Sequence, residues 1–234
     1  MTTGGESPPH GQARLLHVVN LALQKRQEQV VITSILALAL VVRLAYGPHI
    51  RDDAYITLRY AQHLANGLGF TFNKGERILG TTTPLWTLLL GMLAWVGVEP
   101  TTAAWVIGVA ADLGVVYTLW RFGRVAVSPA VGLLASLHYA LFTPTVSHAV
   151  SGMETSLYLL LIVLVFLLAH EQRKLLCAIT CGLAVLIRPD GMLVTTVISG
   201  WIISRILWGS GLPKNIGELV CRSGVLVRRG WVAV

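Results

Sequence analysis

The chain has 234 residues, of which 54% are hydrophobic and only 12% charged, and its mean hydropathy is +0.68. Soluble domains carry about 25% charged residues, so too few ionic groups remain here to cover a water-facing surface. The net charge of +7 comes from 18 basic and 11 acidic side chains. The composition excludes a soluble protein. It gives no indication of nucleic-acid binding, because the basic residues are distributed as markers of membrane topology.

The N-terminal part of the sequence predicts a signal-anchor. Residues 1–29 form a polar, basic tail, and the first apolar run follows at 30–46, VVITSILALALVVRLAY. This run is long for the apolar region of a cleaved signal peptide, and no small-residue cleavage site follows it. We therefore expect a retained span with the N-terminal tail in the cytoplasm.

A polar loop of mixed charge occupies residues 48–83. Within it, residues 53–65 have helical spacing, which predicts a short helix lying along the membrane surface. Five apolar stretches that could cross the membrane come later in the chain, at 102–120, 126–146, 155–169, 175–187 and 192–208. Several are shorter than the ~20 residues that a bilayer needs, so their true ends must extend into flanking residues.

Segment 84–98, PLWTLLLGMLAWVGV, is either a short span or a helix at the interface. If it does not cross, the basic clusters at 121–124 and 173–174 join the N-terminus inside, as the positive-inside rule requires. The acidic residues of the loops near 52, 154 and 190 then share the outer face. We predict an all-α, polytopic transmembrane bundle of six spans, or seven if 84–98 crosses.

The same interpretation divides the chain into three parts. It predicts a transmembrane module over 30–209 with an outer loop at 48–83, located in the cell (inner or plasma) membrane. The remaining residues, 210–234, form a short basic C-terminal tail without a clear domain. Within the module, Asp112 falls in the middle of a predicted span, so it is expected to face the bundle interior or to be protonated.

Two adjacent acids, Asp52 and Asp53, follow the first span almost at once. A carboxylate at the lipid–water boundary is suited to accept a proton. Adjacent acids point in different directions at a helix start, so one can face a cavity while the other caps the helix. The alternative is that both acids cap the helix beginning at Ala54, where negative charge favours the helix dipole.

Three ordered segments resemble a known superfamily. They are DDAYITLRYAQHLANGLGFTFNKGERILGTTTPLW at 52–86, SGMETSLY at 151–158 and LAVLIRPDGML at 183–193. Together they are similar to GT-C integral membrane glycosyltransferases. The nearest likeness is the bacterial branch of arabinofuranosyl- and mannosyltransferase-like proteins, which take a sugar from a polyprenyl-phosphate carrier. The resemblance covers about residues 30–209 and corresponds to the N-terminal module of such enzymes.

The resemblance implies an outward-facing reaction with a single displacement that inverts the anomeric centre. One of Asp52 or Asp53 would act as the general base on the acceptor hydroxyl. The leaving lipid phosphate needs cations, and the candidates are Arg59, Lys74, Arg77 and Arg188, with arginine best suited because its fork pairs two oxygens. For Arg59 and Lys74, a cation reaching to the interface is the stronger interpretation.

Three further acids belong to the candidate site. Glu154 either stabilises the start of a helix through its dipole or acts as a second carboxylate facing the Asp52/Asp53 loop. Glu76, in the KGER turn, is either a solvated charge or a substrate ligand, and Asp190 is a potential partner of Arg188. Two acids on one face can share a divalent cation, Mg²⁺ or Mn²⁺, although the sequence identifies no definite metal site.

Two departures from the family pattern bear on activity. Thr81 stands where an aromatic residue often follows the glycine, and the chain ends where such enzymes usually continue through further spans. The resemblance implies a polyprenyl-phosphate-linked sugar donor, a glycan, lipid or protein acceptor, and a hexosyl or pentosyl group. The alternative is a non-enzymatic membrane protein: a truncated or degenerate glycosyltransferase fragment, or a transporter or assembly subunit.

Overall fold

A computed structural model of the chain describes residues 10–73, 75 and 80–207. Within these ranges every regular element is an α-helix. The helices are α1 His10–Tyr46, α2 Asp52–Ala65, α3 Pro84–Trp95, α4 Pro100–Ala126, α5 Pro129–Leu141, α6 Thr143–Ala149, α7 Thr155–His170, α8 Lys174–Ile187 and α9 Gly191–Leu207. The all-α prediction is therefore confirmed for the described part of the chain. The C-terminal tail at 210–234 lies outside it.

Two of these helices are long and apolar enough to cross a membrane, Ala22–Tyr46 within α1 and Pro100–Ala126. The pair α5 and α6 would make a third span if it is counted as one. Helices α3, α7, α8 and α9 are apolar but shorter. The described residues thus form an apolar helical membrane protein, and the count of six or seven spans stays a prediction.

The first helix is longer than its apolar run. It begins at His10 rather than near residue 30, so much of the predicted N-terminal tail continues the first span as helix. In the next loop, α2 begins at Asp52, within one residue of the predicted start, and buries Ala54, Leu58 and Ala61. The helical spacing of apolar residues was enough to predict α2, because the buried residues of this helix pack as one face against α3.

The stretch 126–146, predicted as an apolar stretch that could cross the membrane, is not one unbroken helix. It is broken into α5 and α6, whose axes differ by 66°. Pro144 accounts for the break, because proline has no amide hydrogen and its ring clashes with the preceding turn of helix. The short helix α6 then leads back toward α2, which brings residues 150–154 to the candidate site.

A buried group of polar side chains lies where α1, α4 and α5 meet. Arg43 and Asp112 are both fully buried, and their Nη2 and Oδ2 atoms are 2.8 Å apart. The Tyr139 hydroxyl donates to the other Asp112 oxygen at 2.9 Å. Asp112 therefore faces the bundle interior, as expected for an acid in the middle of a span.

Candidate active site

A cleft of about 240 Å³ opens at one end of the bundle, between α2, the loop before α3, the loop before α7 and the end of α8. Its lining includes Asp53, Thr57, Glu154 and Arg188, together with residues 80–83 and 152–153. Residues from all three motif segments thus reach one cavity, although the outermost two, Asp53 and Arg188, are 135 positions apart in sequence. We name this end of the molecule the cleft end.

Backbone hydrogen bonds fix the SGMET loop against the start of α2. The amide of His49 donates to the carbonyl of Val150 at 3.1 Å, and the amide of Arg51 donates to that of Ser151 at 3.0 Å. The Trp86 indole donates to the carbonyl of Gly152 at 3.3 Å. Gly152 has a φ of +75°, which side-chain-bearing residues rarely adopt. These contacts set the depth at which Glu154 enters the cleft.

The two adjacent aspartates face different surroundings. Both are exposed and lie in the first turn of α2, but Asp53 lines the cleft and Asp52 does not. Successive residues of an α-helix point about 100° apart, so only one of the two can face the cavity. The N-cap position belongs to Arg51, which makes no side-chain capping bond, and both acids lie near the positive end of the helix dipole.

Glu154 and Arg188 form the charged pair of the cleft. Glu154 is only 6% exposed, and its Oε1 lies 3.5 Å from Nη1 of Arg188. The other terminal nitrogen of Arg188 is 3.2 Å from Asp190, whose side chain is exposed and does not line the cleft. The guanidinium also lies over the Tyr158 ring, 5.7 Å from its centroid. Arg188 is thus oriented from three sides while its side chain remains 35% exposed.

Buried threonines form a wall of the cleft that the sequence pattern did not identify. The hydroxyl of Thr81 is 3.1 Å from that of Thr83 and 3.3 Å from that of Thr87. Thr87 in turn donates to the Thr83 carbonyl at 3.0 Å. The run TTT at 81–83 is the local sequence signal for this wall. The hydroxyls make the wall polar at the point where an aromatic side chain was expected.

Arg59 belongs to a different cavity. Its Nε donates to the carbonyl of Phe72 at 2.8 Å, and its guanidinium lies over the Phe72 ring, 4.7 Å from the centroid. It lines a second cleft of about 390 Å³ on another face of α2, with Tyr55, Gln62 and His63. The structure therefore does not bring Arg59 to Asp53. Lys74, Glu76 and Arg77 lie outside the described residues.

The opposite end of the bundle carries paired basic residues. Arg121, near the end of α4, donates to Glu171 at 2.7 Å, and Arg173 lies 3.1 Å from the same carboxylate. Arg124 lies 3.4 Å from Glu28 of α1. Because α4 runs from the cleft end to these residues, the basic clusters and the cleft are separated by the length of that helix.

Within the described ranges, no group of three or more histidine, cysteine, aspartate or glutamate side chains is arranged to hold a metal ion. The carboxylates that line the cleft are Asp53 and Glu154, and Arg188 is the cation beside them. Oxygen ligands of this kind suit a hard cation such as Mg²⁺ or Mn²⁺. Binding of such an ion stays a prediction.

An apolar helical membrane protein with an acid–arginine cleft at one end is thus defined by the fold and the site. The chain is similar to the terminal beta-(1->2)-arabinofuranosyltransferase of Mycobacterium tuberculosis, with 30% identity over 167 residues. The match covers 62% of this chain and 26% of that protein. It is also 33% identical over 131 residues to the terminal beta-(1->2)-arabinofuranosyltransferase of Corynebacterium glutamicum, covering 51% of this chain and 18% of that protein.

The chain therefore spans about a quarter or less of the length of these relatives. No family model matches it, and no solved structure gives a significant match. The similarity supports a relationship to membrane glycosyltransferases at a coarse level.

Proposed function

We propose that this chain is the catalytic module of a membrane glycosyltransferase. It would transfer an arabinofuranosyl group from a polyprenyl-phosphate donor to an acceptor hydroxyl at the outer face of the cell membrane. The observation that carries the proposal is the shared cleft of Asp53, Glu154 and Arg188, which come from three separate motif segments. The partial similarity to two arabinofuranosyltransferases supports the choice of sugar.

In this proposal Asp53 is the general base. The acceptor oxygen attacks the anomeric carbon as its proton passes to the Asp53 carboxylate. The bond between that carbon and the phosphate oxygen breaks, and the polyprenyl phosphate leaves with the electron pair. A single displacement of this kind inverts the anomeric centre. Asp53 suits the role because it is exposed within the cleft and its carboxylate makes no salt bridge in the described structure.

Arg188 would bind the leaving phosphate. Its guanidinium is partly exposed in the cleft and is oriented by Glu154, Asp190 and the Tyr158 ring. A planar fork pairs two phosphate oxygens and stabilises the charge that develops on them. Glu154 then serves as a positioning residue, because its buried carboxylate lies beside the arginine and fixes the direction of the fork.

The distribution of charge supports an outward-facing cleft. Arg121, Arg124 and Arg173 gather at the opposite end, and the positive-inside rule would put that end in the cytoplasm. With α1 crossing once, the N-terminus would lie on the same side as those arginines. Labelling of an Asp52→Cys variant by a membrane-impermeant thiol reagent in intact cells tests this, because Asp52 is exposed at the cleft end. The native Cys177, Cys181 and Cys221 are replaced by alanine. Labelling only after the cells are opened would overturn the orientation.

The catalytic assignment is tested by exchanging each aspartate for asparagine. Asp53→Asn should lower the rate of transfer from a synthetic polyprenyl-phosphate arabinofuranose to an oligosaccharide acceptor by about 10²-fold or more, because the base is lost. Asp52→Asn is the matched control, since it makes the same change one residue away and outside the cleft. It should retain most of the parent rate.

Both variants should insert and accumulate in membranes like the parent chain, because both aspartates are exposed. Full activity of Asp53→Asn would show that Asp53 is not the general base. The opposite pattern, with Asp52→Asn inactive and Asp53→Asn active, would mean that α2 presents a different face to the substrate. Absence of transfer by the parent chain would favour the non-enzymatic alternative.

A further inference from the structure

The bend between α5 and α6 leaves backbone carbonyls that the helix itself cannot pair. The carbonyl of Ala140 would normally accept from the amide four residues on, but that residue is Pro144, which has none. Nη1 of Arg43 donates to this carbonyl instead. The Thr145 hydroxyl lies 2.7 Å from the neighbouring Tyr139 carbonyl and 2.7 Å from that of Phe142, and it donates to one of them at a time. In an apolar environment an unpaired carbonyl is strongly unfavourable, so these side chains stabilise the bend.

Arg43 is held in place by a second set of contacts. Its Nε donates to Oδ2 of Asp112 at 2.8 Å, and Tyr139 donates to Oδ1 of the same carboxylate at 2.9 Å. Arg43 and Asp112 are both 0% exposed. We name the set of Arg43, Asp112 and Tyr139, with the Ala140 carbonyl, the buried clamp. It joins α1, α4 and α5 at one point.

Two segments leave the buried clamp and end at the two acids that line the cleft. Residues 44–53 lead from Arg43 to Asp53, and residues 141–154 lead from Ala140 to Glu154. The two segments meet again at the cleft, where His49 and Arg51 bond to Val150 and Ser151. They therefore form a closed loop, tied by the clamp at one end and by backbone hydrogen bonds at the other.

We infer that Arg43 and Asp112 are positioning residues: the buried clamp sets the α5–α6 bend and thereby holds the Asp53 and Glu154 segments in register across the cleft. Only the catalytic consequence rests on the proposed function. The register of the two segments is a property of the structure and can be measured without any substrate.

A purely stabilising role for the ion pair makes a different prediction. Replacing a buried pair by apolar residues of similar size commonly leaves stability unchanged or raises it. The double variant Arg43→Met with Asp112→Leu should thus fold, yet it leaves the Ala140 carbonyl without the guanidinium. If the clamp only stabilises the fold, the cleft of this variant is normal. If the clamp positions the segments, the cleft is disturbed in a folded protein.

A disulfide between two introduced cysteines reports the register directly. A Cβ atom on Gly152 would lie 3.5 Å from that of Ala54, within the range of about 3.5–4.5 Å found for disulfides. The reporter is the Ala54→Cys, Gly152→Cys pair, with the native Cys177, Cys181 and Cys221 replaced by alanine. The positive φ of Gly152 strains a cysteine there, but every variant compared carries the same strain.

Disulfide formation is followed by mass spectrometry of the linked peptides after mild oxidation of membranes. The parent reporter should cross-link readily. Arg43→Met with Asp112→Leu should cross-link about fivefold more slowly or worse, because disulfides tolerate little displacement of their Cβ atoms. Arg121→Met with Glu171→Leu is the matched control: it removes an arginine–glutamate pair at the opposite end and should cross-link like the parent.

A clamp variant that is folded and cross-links at the parent rate would overturn the inference. Failure of the parent reporter to cross-link would overturn it as well, because Gly152 would then not lie beside Ala54. Thr145→Val gives a second measurement, since it removes the hydroxyl at the bend without touching a charge, and it should slow cross-linking by a smaller factor. None of these results depends on whether the chain transfers a sugar.

Discussion

Arg188 and Arg43 each pair with a carboxylate, and the two pairs differ in geometry and burial. In the cleft, Arg188 and Glu154 are 3.5 Å apart and the arginine side chain is 35% exposed. In the clamp, Arg43 and Asp112 are 2.8 Å apart and neither side chain is exposed. An arginine that meets a substrate must stay accessible, whereas an arginine that fixes backbone must be fully engaged. The looser pair is therefore the one suited to binding, and the tighter one to shaping the fold.

Removing only one partner of the Arg43–Asp112 pair in the buried clamp should lower the free energy of unfolding by the largest amount. Asp112→Leu alone leaves the Arg43 charge buried and unpaired, which is expected to cost about 3–5 kcal/mol. The double variant with Arg43→Met should recover part of that loss, because no uncompensated charge remains, although the Ala140 carbonyl and the Tyr139 hydroxyl each lose a partner. Thermal unfolding in detergent, followed by the loss of helical circular dichroism, measures both.

The comparison with the cleft supplies the control. Glu154→Gln leaves Arg188 as the unpaired charge, and that side chain is 35% exposed, so the unfolding temperature of this variant should fall far less than that of Asp112→Leu. Equal losses of unfolding temperature in the two variants would mean that the difference in burial between the two pairs does not determine their contribution to stability.

Neutralising the cleft glutamate should change rate rather than stability. Glu154→Gln keeps the shape of the side chain but loses the charge beside Arg188, so transfer should slow by about 10- to 100-fold as the fork loses its fixed direction. Glu171→Gln is the matched control, because Glu171 is likewise paired with arginine, in its case with both Arg121 and Arg173, but at the opposite end. Equal slowing of both variants would argue against a special role for the cleft.

The structural features compared here could be predicted from the sequence only where residues close together in the chain indicated them. The α2 helix and the inward-facing Asp112 followed from apolar spacing and from the cost of a charge in a span. The bend at Pro144 was also signalled locally, but the apolar run from 126 to 146 was interpreted as continuous through it. The partnership of Arg43 with Asp112 was not predictable, because it joins residues 69 positions apart.

The choice between Asp52 and Asp53 was beyond sequence for a different reason. A shift of one residue in a helix start rotates each side chain by about 100°, so an uncertainty of one position changes which acid faces the cleft. The structure resolves this by tying Arg51 to the carbonyl of Ser151, which fixes the rotation of α2.

A single methyl group at Gly108 tests the contact between α4 and the end of α6. A Cβ atom there would lie 2.6 Å from the carbonyl oxygen of Ala149, so the backbone must move. Gly108→Ala should destabilise the protein by about 1–3 kcal/mol. Introduced into the Ala54→Cys, Gly152→Cys reporter, it should also slow disulfide formation.

The matched control is Gly182→Ala in α8, where nothing beyond the adjacent backbone of the helix itself lies within 4 Å of the added methyl group. Alanine favours a helix over glycine, so this variant should be stabilised by up to about 1 kcal/mol. Destabilisation by both substitutions would show that the contact with Ala149 is not the cause.

The smallest effect is expected at an acid that belongs to neither the cleft nor the clamp. Glu99 caps α4, and its Oε2 accepts from the Thr102 amide at 2.6 Å. Slight burial acts to raise the pKa of Glu99, but hydrogen bonds from Thr101 and Thr102 outweigh it and hold the pKa below the usual value. The folded state therefore favours the charged form of Glu99. The stabilisation from this carboxylate is complete above its pKa in the unfolded chain and is lost as the pH falls through its pKa in the folded protein.

Glu99→Gln should lower the free energy of unfolding by about 0.5–1 kcal/mol at neutral pH, and the difference between this variant and the parent should shrink on acidification. A difference in the free energy of unfolding that stays constant with pH would mean that Glu99 stabilises α4 through packing and not through its charge. The comparison of functional with structural acids would then be supported by the cleft and the buried clamp alone.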